Sequence, residues 1–205
     1  MSLDTAIRHL QCAIANNDQM AEAHFQLAKI YNENSDINAA ISESERAISA
    51  GIELIQVFEK KGNFLLKKRQ FPEAKQQLIK ANGLKNECSV YHVFLCSIYW
   101  SIQDIKKCTD HAWAALNFFP QNADALLYLS YLDANAKKWK SSAENAEKSI
   151  EINFYNAQAH LHMAVIKHAQ KKGKDAAHHY LIARDLDKNI IHNKLQKISE
   201  KYPDA

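Results

Sequence analysis

Small and apolar positions return along this chain on two scales. Within short stretches they fall on one side of a helix; across the chain they return every 34 residues. One series is Ala6, Ala40, Ala74, Cys108, Ser142 and Ala176, and a second lies seven residues further on, at Ala13, Ala47, Ala81, Ala115, Ser149 and Ala183. Both keep phase through six successive positions without an insertion or deletion. A third series, Leu27, Leu95, Leu129 and Met163, is interrupted by Lys61. A period of this length belongs to stacked helix pairs. One antiparallel pair cannot bury its apolar face alone, so neighbours stack into a continuous core. The small residues mark the places where helices approach most closely.

The segment around Pro120 shows how one unit passes to the next. The stretch 117–125 reads NFFPQNADA, a corner between two helix-like runs, and Pro120 cannot continue the first of them. With this corner the chain resembles the tetratricopeptide-repeat family, whose units carry a Trp-like position, Leu, Gly or Ala, Tyr, and later Ala, Leu or an aromatic, Ala and Pro. The unit 21–54 supplies His24, Leu27, Ala28, Tyr31, Ala40, Ser44 and Ala47. The unit 55–88 supplies Phe58, Gly62, Leu65, Ala74, Leu78 and Ala81. The unit 89–122 supplies His92, Leu95, Cys96, Tyr99, Cys108, Ala112, Ala115 and Pro120, and 123–156 and 157–190 follow in phase. The resemblance implies an all-α fold: a right-handed superhelical solenoid of antiparallel helix pairs, two helices to each unit, as one domain over 4–203.

The two ends read differently. Residues 4–20 match only the second helix of a unit, which leaves Ala6, Ile7, Leu10 and Ile14 as an uncovered apolar face. A solenoid caps its ends with polar surface, so this points to further repeats upstream or to a second protomer. At the other end 191–203 is expected as a capping helix, with Ile191, Leu195 and Ile198 on one side and a stop near Pro203.

Composition narrows the picture. Glycine (4) and proline (3) are scarce, which favours helix throughout. The net charge of +3 does not by itself call for nucleic acid. The longest uncharged run, 88–103, has 16 residues, short of the ~20 that span a bilayer. The first residues lack the basic segment and apolar core of a secretory signal. The expected location is cytoplasmic, or periplasmic if the chain is part of a longer one, and the family analogy places it in bacteria. Four cysteines without CxxC spacing argue against a disulfide framework or a zinc site.

In the family, the first helix of each unit lines a concave groove through its second, fifth, sixth, ninth, twelfth and thirteenth positions. Carried over, these positions give a peptide groove of Phe25, Lys29, Asn63, Val93, Phe94, Ser97, Trp100, Leu127, Tyr128, Tyr131, Leu161, His162 and Val165. Its character changes from polar in the early repeats to apolar and aromatic from the third to the fifth, where aromatic anchors suit a peptide or helix. The competing reading is that these residues pack against the next repeat. Chaperone-binding members grip a terminal carboxylate with Lys and Asn at the fifth and ninth positions. Here those pairs are Phe25 with Lys29, Glu59 with Asn63, and Val93 with Ser97, so that clamp is missing.

Lysines gather at the turns inside the units: Lys67, Lys68 and Arg69; Lys106 and Lys107; Lys137, Lys138 and Lys140; Lys171 and Lys172. Stacking would align them into a basic ridge for an acidic partner. The plainer reading is that they complement helix dipoles and solubilise turns. Cys96 and Cys108 fall on close-contact positions of one unit and should be neighbours, either as small fillers or as a disulfide under oxidising conditions. His24, His92 and His160 occupy the family's Trp-like position and read as framework; no two histidines of the last unit lie at i, i+4, so no metal site is expected. Nor is there a nucleophile elbow or a phosphate-cradling glycine loop, so no catalytic residue or cofactor is expected. The leading function is a non-enzymatic scaffold that binds a peptide or helix of a partner protein, for assembly of a pilus, secretion or organelle complex. The alternatives are a repeat arm of a larger enzyme such as a glycosyltransferase, and a self-assembling oligomer through the first helix. Small-molecule substrates, nucleic acid and membrane are not expected as partners.

Overall fold

A computed structural model describes residues 3–15, 20–190 and 192–202. Among the described residues ten helices follow one another: α1 (Leu3–Ala15), α2 (Met20–Glu33), α3 (Ile37–Lys67), α4 (Phe71–Ser101), α5 (Ile105–Phe118), α6 (Ala123–Asn135), α7 (Trp139–Ile152), α8 (Ala157–Ala169), α9 (Gly173–Leu186) and α10 (Asn193–Ser199). No strand occurs among the described residues. The contacts divide the chain into two compact units, Met1–Pro120 and Gln121–Ala205.

The 34-residue period is written into the backbone. Ser35, Arg69, Gln103, Lys137 and Lys171 all adopt left-handed φ of 58–63°, one after the first helix of each repeat. The next residue's N–H then reaches back to the carbonyl five positions earlier: Asp36 to Tyr31, Gln70 to Leu65, Asp104 to Tyr99, Lys138 to Asp133 and Lys172 to Lys167, all at 2.8–3.0 Å. This is the Schellman closure, which satisfies carbonyls that a helix end would otherwise leave orphaned. Two of these turns add a side-chain cap for the helix that follows, since the Asp36 and Asp104 carboxylates accept the backbone N–H of Ala39 and Lys107 at 3.1 Å.

Passage from one repeat to the next takes two forms. After α7, and again before α6, the chain leaves the helix and restarts on an asparagine: Asn122 accepts from the Ala125 N–H, and Asn156 from those of Gln158 and Ala159. The repeat boundaries expected at 54/55 and 88/89 do not break at all. There α3 and α4 run on for 31 residues each. The positions equivalent to Asn122 and Asn156 are Leu54 and Cys88, neither of which can cap, and no proline precedes them. With no competing interaction to end the helix, it propagates. The second repeat therefore stands as a hairpin, 55–85, continuous with the neighbouring helices on both sides.

This changes which repeats touch in the N-terminal unit. The first half of α3 packs along the second half of α4, and Phe25 of α2 lies 4.4 Å from the Tyr91 ring of α4. The first and third repeats are thus direct neighbours. At their junction Gly51 passes Cys88 so closely that a Cβ on Gly51 would lie 2.6 Å from the Cys88 sulfur. In the C-terminal unit the pairs α6/α7 and α8/α9 stack through α7 and α8, and α10 closes on α9 and α8. The closing helix is shorter than the sequence suggests, seven residues, because His192 caps it through Nδ1 and the preceding 188–190 form a turn. Leu195 still completes the cluster of Tyr180, Ala183 and Ile190; Ile191 and Pro203 lie outside the described residues. Helix α1 packs on α2, which leaves Ala6, Ile7, Leu10 and Ile14 half-buried rather than bare.

Within each pair the helices meet at small residues. Ala28 and Ala40, Cys96 and Cys108, Ser130 and Ser142, and Ala164 and Ala176 occupy the same two positions of the first, third, fourth and fifth repeats, and every one is fully buried. The serine pair is bonded reciprocally: Ser130 donates to the Ser142 carbonyl at 2.6 Å and Ser142 to the Ser130 carbonyl at 2.9 Å.

Gly51 of α3 and Gly83 of α4 make opposite predictions. Gly83→Ala meets nothing within 4 Å, so only helix propensity acts and stability should rise by ~0.5–1 kcal/mol. Gly51→Ala must force α3 from α4 and should lower stability by about 1–3 kcal/mol, an effect that Cys88→Ala relieves in the double variant. Urea midpoints of the four proteins check both signs.

Candidate interaction surfaces

In the N-terminal unit the sequence-selected groove residues fall into two groups. Phe25 is buried, clamped between Tyr91 and Phe94, whose ring is 5.4 Å away and edge-on. Lys29 lies 4.4 Å over the Phe25 ring from the outside. Phe25 therefore supports the surface from beneath, while Lys29, Val93, Phe94, Ser97 and Trp100 are half-buried at it. The Ser97 hydroxyl is turned back onto the Phe94 carbonyl at 2.7 Å. Asn63 stands apart from these residues, exposed on the hairpin. The Tyr91 hydroxyl donates to Glu22 at 3.4 Å, and burial with the nearby Glu87 and Glu22 carboxylates keeps the phenol protonated far above its ordinary range.

In the C-terminal unit, α6 and α8 bring three rings into a row. Tyr128 and Tyr131 are 5.9 Å apart, and Tyr131 meets His162 edge-on at 4.2 Å. Tyr128 and Tyr131 are half-buried; Leu127 and His162 are buried behind them. Burial pushes the Tyr131 phenol up to about 12. It pushes the His162 imidazole down to about 4, against a hydrogen bond with the Ser130 backbone that favours the charged form. The Nε2 atom of His162 has no hydrogen-bond partner, a desolvated polar atom inside an otherwise aromatic contact. Leu161 and Val165 pack against the cluster of Ala164, Tyr180 and Leu195, so they contribute to the core as much as to the surface.

The aligned basic ridge does not form in the N-terminal unit. The turn carrying Lys67, Lys68 and Arg69 and the turn before Lys106 and Lys107 sit at opposite ends of α4, a 31-residue helix about 45 Å long. The uninterrupted helix separates what a regular stack would align. In the C-terminal unit the corresponding turns do approach, as the Gln170 side-chain amide donates to the Trp139 carbonyl at 3.2 Å. Lys137, Lys138, Lys140, Lys171 and Lys172 are exposed there.

A buried polar series escaped the sequence reading. The framework histidines each face a partner 19 residues later on the second helix of the pair. His24 Nδ1 meets Glu43 at 2.6 Å, His92 Nδ1 meets His111 Nδ1 at 2.8 Å, and His160 Nδ1 meets His179 Nδ1 at 3.2 Å. His160 also bonds the Phe154 carbonyl at 3.0 Å. In each His–His pair one nitrogen must donate and the other accept, so the pair holds one shared proton rather than two charges. Burial and the neighbouring imidazole push His92 down to about 4, and burial with His160 does the same to His179. The signal was available: His111 and His179 lie in phase, 68 residues apart, as His92 and His160 do.

Cys96 and Cys108 are brought together, with sulfurs 2.7 Å apart, fully buried and both free thiols. The contact with Cys108, together with burial, holds the Cys96 thiol protonated. Among the described residues, no three His, Cys, Asp or Glu side chains come together as a metal ion would need. None of the described helices is long and apolar enough to cross a membrane.

No family model and no curated protein matches the chain in sequence. Solved structures do match it. A double mutant of MamA RS-1 superposes over 91% of this chain and 86% of its own, with a TM-score of 0.55 at 14% identity. The first TPR domain of Spaghetti (RPAP3), bound to the HSP90 peptide SRMEEVD, covers 58% of this chain and 95% of its own, with a TM-score of 0.52 at 16% identity. The Cut9–Hcn1 assembly of the APC/C covers 98% of this chain with 39% of its own, with a TM-score of 0.51 at 14% identity. The class follows from these likenesses and from the repeated turns: the chain has the tetratricopeptide-repeat fold, all-α and built of antiparallel helix pairs.

The depressed histidines make stability depend on pH with a definite sign. Their neutral forms are held in the fold, and the unfolded chain takes up protons below about pH 6.5. Stability should be level above that value and fall as pH drops from about 6.5 toward 4, by on the order of 2 kcal/mol for each fully shifted group. Urea titrations at pH 7.5 and 5 measure the loss. Replacing His92 with Phe and His111 with Leu together should shrink the pH dependence; an unchanged slope would remove the pair from the account.

Proposed function

We propose that the protein is a non-enzymatic interaction module that binds an apolar segment of a partner protein. The observation that carries this reading is the row Tyr128, Tyr131 and His162, in which half-buried aromatic rings stand on a buried support. Such rings supply large contact area at low cost in conformational entropy and are the common anchors of peptide recognition. The fold shared with the Spaghetti domain, which holds an HSP90 peptide, supports a peptide as the ligand class. The chemistry differs, because the Lys–Asn carboxylate clamp is missing from the corresponding positions of this chain. An apolar or aromatic segment, held by packing rather than by its terminal carboxylate, fits these side chains.

The test is selection of peptides from a displayed library on the full chain, followed by affinity measurement on purified variants. Tyr128→Ala with Tyr131→Ala should weaken selected apolar peptides at least tenfold at a temperature where circular dichroism shows parent and variant equally folded. Phe94→Ala tests the N-terminal unit separately. Selected peptides that bind the tyrosine variant and the Phe94 variant as well as the parent would rule out these faces as the site.

A further inference from the structure

The hairpin 55–85 carries an apolar face that the rest of its unit does not cover. Phe71 and Ile79 are 61% and 60% exposed. With Lys75, Leu78 and Asn82 they line a shallow groove of about 380 Å³ along one side of α4. The spacing, i, i+4, i+7, i+8 and i+11, is a straight stripe on one helical face.

The same positions have a known use elsewhere in this chain. In the fourth repeat, the residues in the register of Phe71, Lys75, Leu78 and Asn82 are Trp139, Ala143, Ala146 and Ile150, while Ile79 is in the register of the exposed Glu147, at the edge of that set. There they form a cluster with Met163 and Ile166 of α8, the first helix of the following repeat. Phe71 and Leu78 thus lie on positions that receive a helix by the fold's own rule, and Ile79 widens the apolar face at their edge. In the hairpin it is vacant, because the helix that should follow is the continuation of α4 itself.

Charge selects what could fill it. Residues 60–80 hold seven basic side chains and a single acidic one, Glu73, although the whole chain is only +3. Lys75 lies in the groove, and Lys67, Lys68 and Arg69 stand exposed at the turn before Phe71. A second copy docking here would set this cluster against its like. The chain's own 89–101 is committed elsewhere: Tyr91, Leu95, Ile98 and Tyr99 are buried in the core of the N-terminal unit.

We propose that the Phe71, Leu78 and Ile79 face of α4 is a docking surface for an acidic amphipathic helix of a partner protein. The incoming helix presents apolar residues three and four apart, as Met163 and Ile166 do in the fourth repeat, and carboxylates toward Lys75 and the basic turn. This surface is separate from the tyrosine row, and either can fail without the other.

The probe is a synthetic helical peptide of about five turns with Leu and Met on one stripe and Glu on its flanks, fluorescently labelled. A partner peptide with Lys in place of Glu is the control. Anisotropy with the full chain should show binding of the acidic peptide, at least tenfold weaker binding of the lysine peptide, and weakening with salt. Ile79→Glu and Lys75→Glu alter exposed side chains and should each weaken the acidic peptide at least tenfold, while Tyr128→Ala should not. Equal binding of both peptides, or indifference to Ile79→Glu, overturns the proposal. So does a dimer in sedimentation that Ile79→Glu dissolves, since the occupant is then a second copy. Spin labels at Arg69→Cys and Gln103→Cys, in a Cys12→Ser background, decide the remaining case. A continuous α4 places them about 50 Å apart. A separation near 20 Å, about two helix spacings, would mean that α4 has broken and 89–101 covers the stripe.

Discussion

The close approach of two helices at a pair of small residues is the constraint on which the first, third, fourth and fifth repeats depend. Ala28 and Ala40, Cys96 and Cys108, Ser130 and Ser142, and Ala164 and Ala176 are all fully buried. The side chains differ in chemistry but share a small volume, and the fold needs only the volume. Polar members are accepted because the contact can satisfy them, as when the serines bond each other's carbonyls or the two thiols bond each other. A larger residue at either position would force the pair apart and lose the dispersion contacts of the whole helix face. Because the contact is set within one pair, it survives whatever the chain does between pairs.

What happens between pairs is decided by something weaker and more local. The turn inside a repeat is closed by a left-handed residue and a five-residue hydrogen bond, and all five such turns form, although none uses glycine. The link between repeats has no such closure. It depends on an asparagine that can accept the first N–H groups of the next helix. Asn122 and Asn156 do this; Leu54 and Cys88 cannot. A cap contributes ~1 kcal/mol, and that is enough to choose between a corner and an uninterrupted helix when both halves are already helical. The consequence is large: two missing caps move an entire repeat out of the stack and bring the first and third repeats into contact.

Most of the fold was legible because repetition averages out local ambiguity. Three series of positions in one phase point to helix pairs more firmly than any single helix signal, and the small and apolar members of those series from Leu27 onward are found buried. The unbroken α3 and α4 were not read, since a repeat template assumes a break at each boundary. The evidence lay in the letters themselves, in Pro120 and Asn122 at one boundary and neither kind of residue at 54 and 88. The surfaces were less legible than the core. Phe25, Leu127 and His162 belong to the register that faces a groove, yet they are buried, because a ring as large as Phe94 or Tyr131 beside them takes the outer place. Register says which way a side chain points; it does not say what stands in front of it.

The paired histidines show the same limit from the polar side. One member of each pair lies where the family places a large aromatic ring, and an imidazole fills part of that volume. Its cost is a nitrogen that must be satisfied away from water. Each pair meets this with a partner 19 residues on, Glu43 in one repeat and a second histidine in two others. Where the second repeat puts Phe58 in place of histidine, the partner position is Gln77, and its Oε1 atom is buried without a hydrogen bond. A polar partner has been kept while the group it would serve has gone. The second repeat therefore departs from its neighbours in three linked ways: no caps at its ends, no histidine inside it and lysine at position 61 where leucine recurs. Each change weakens its claim to a place in the core, and together they fit a repeat that stands out from the stack.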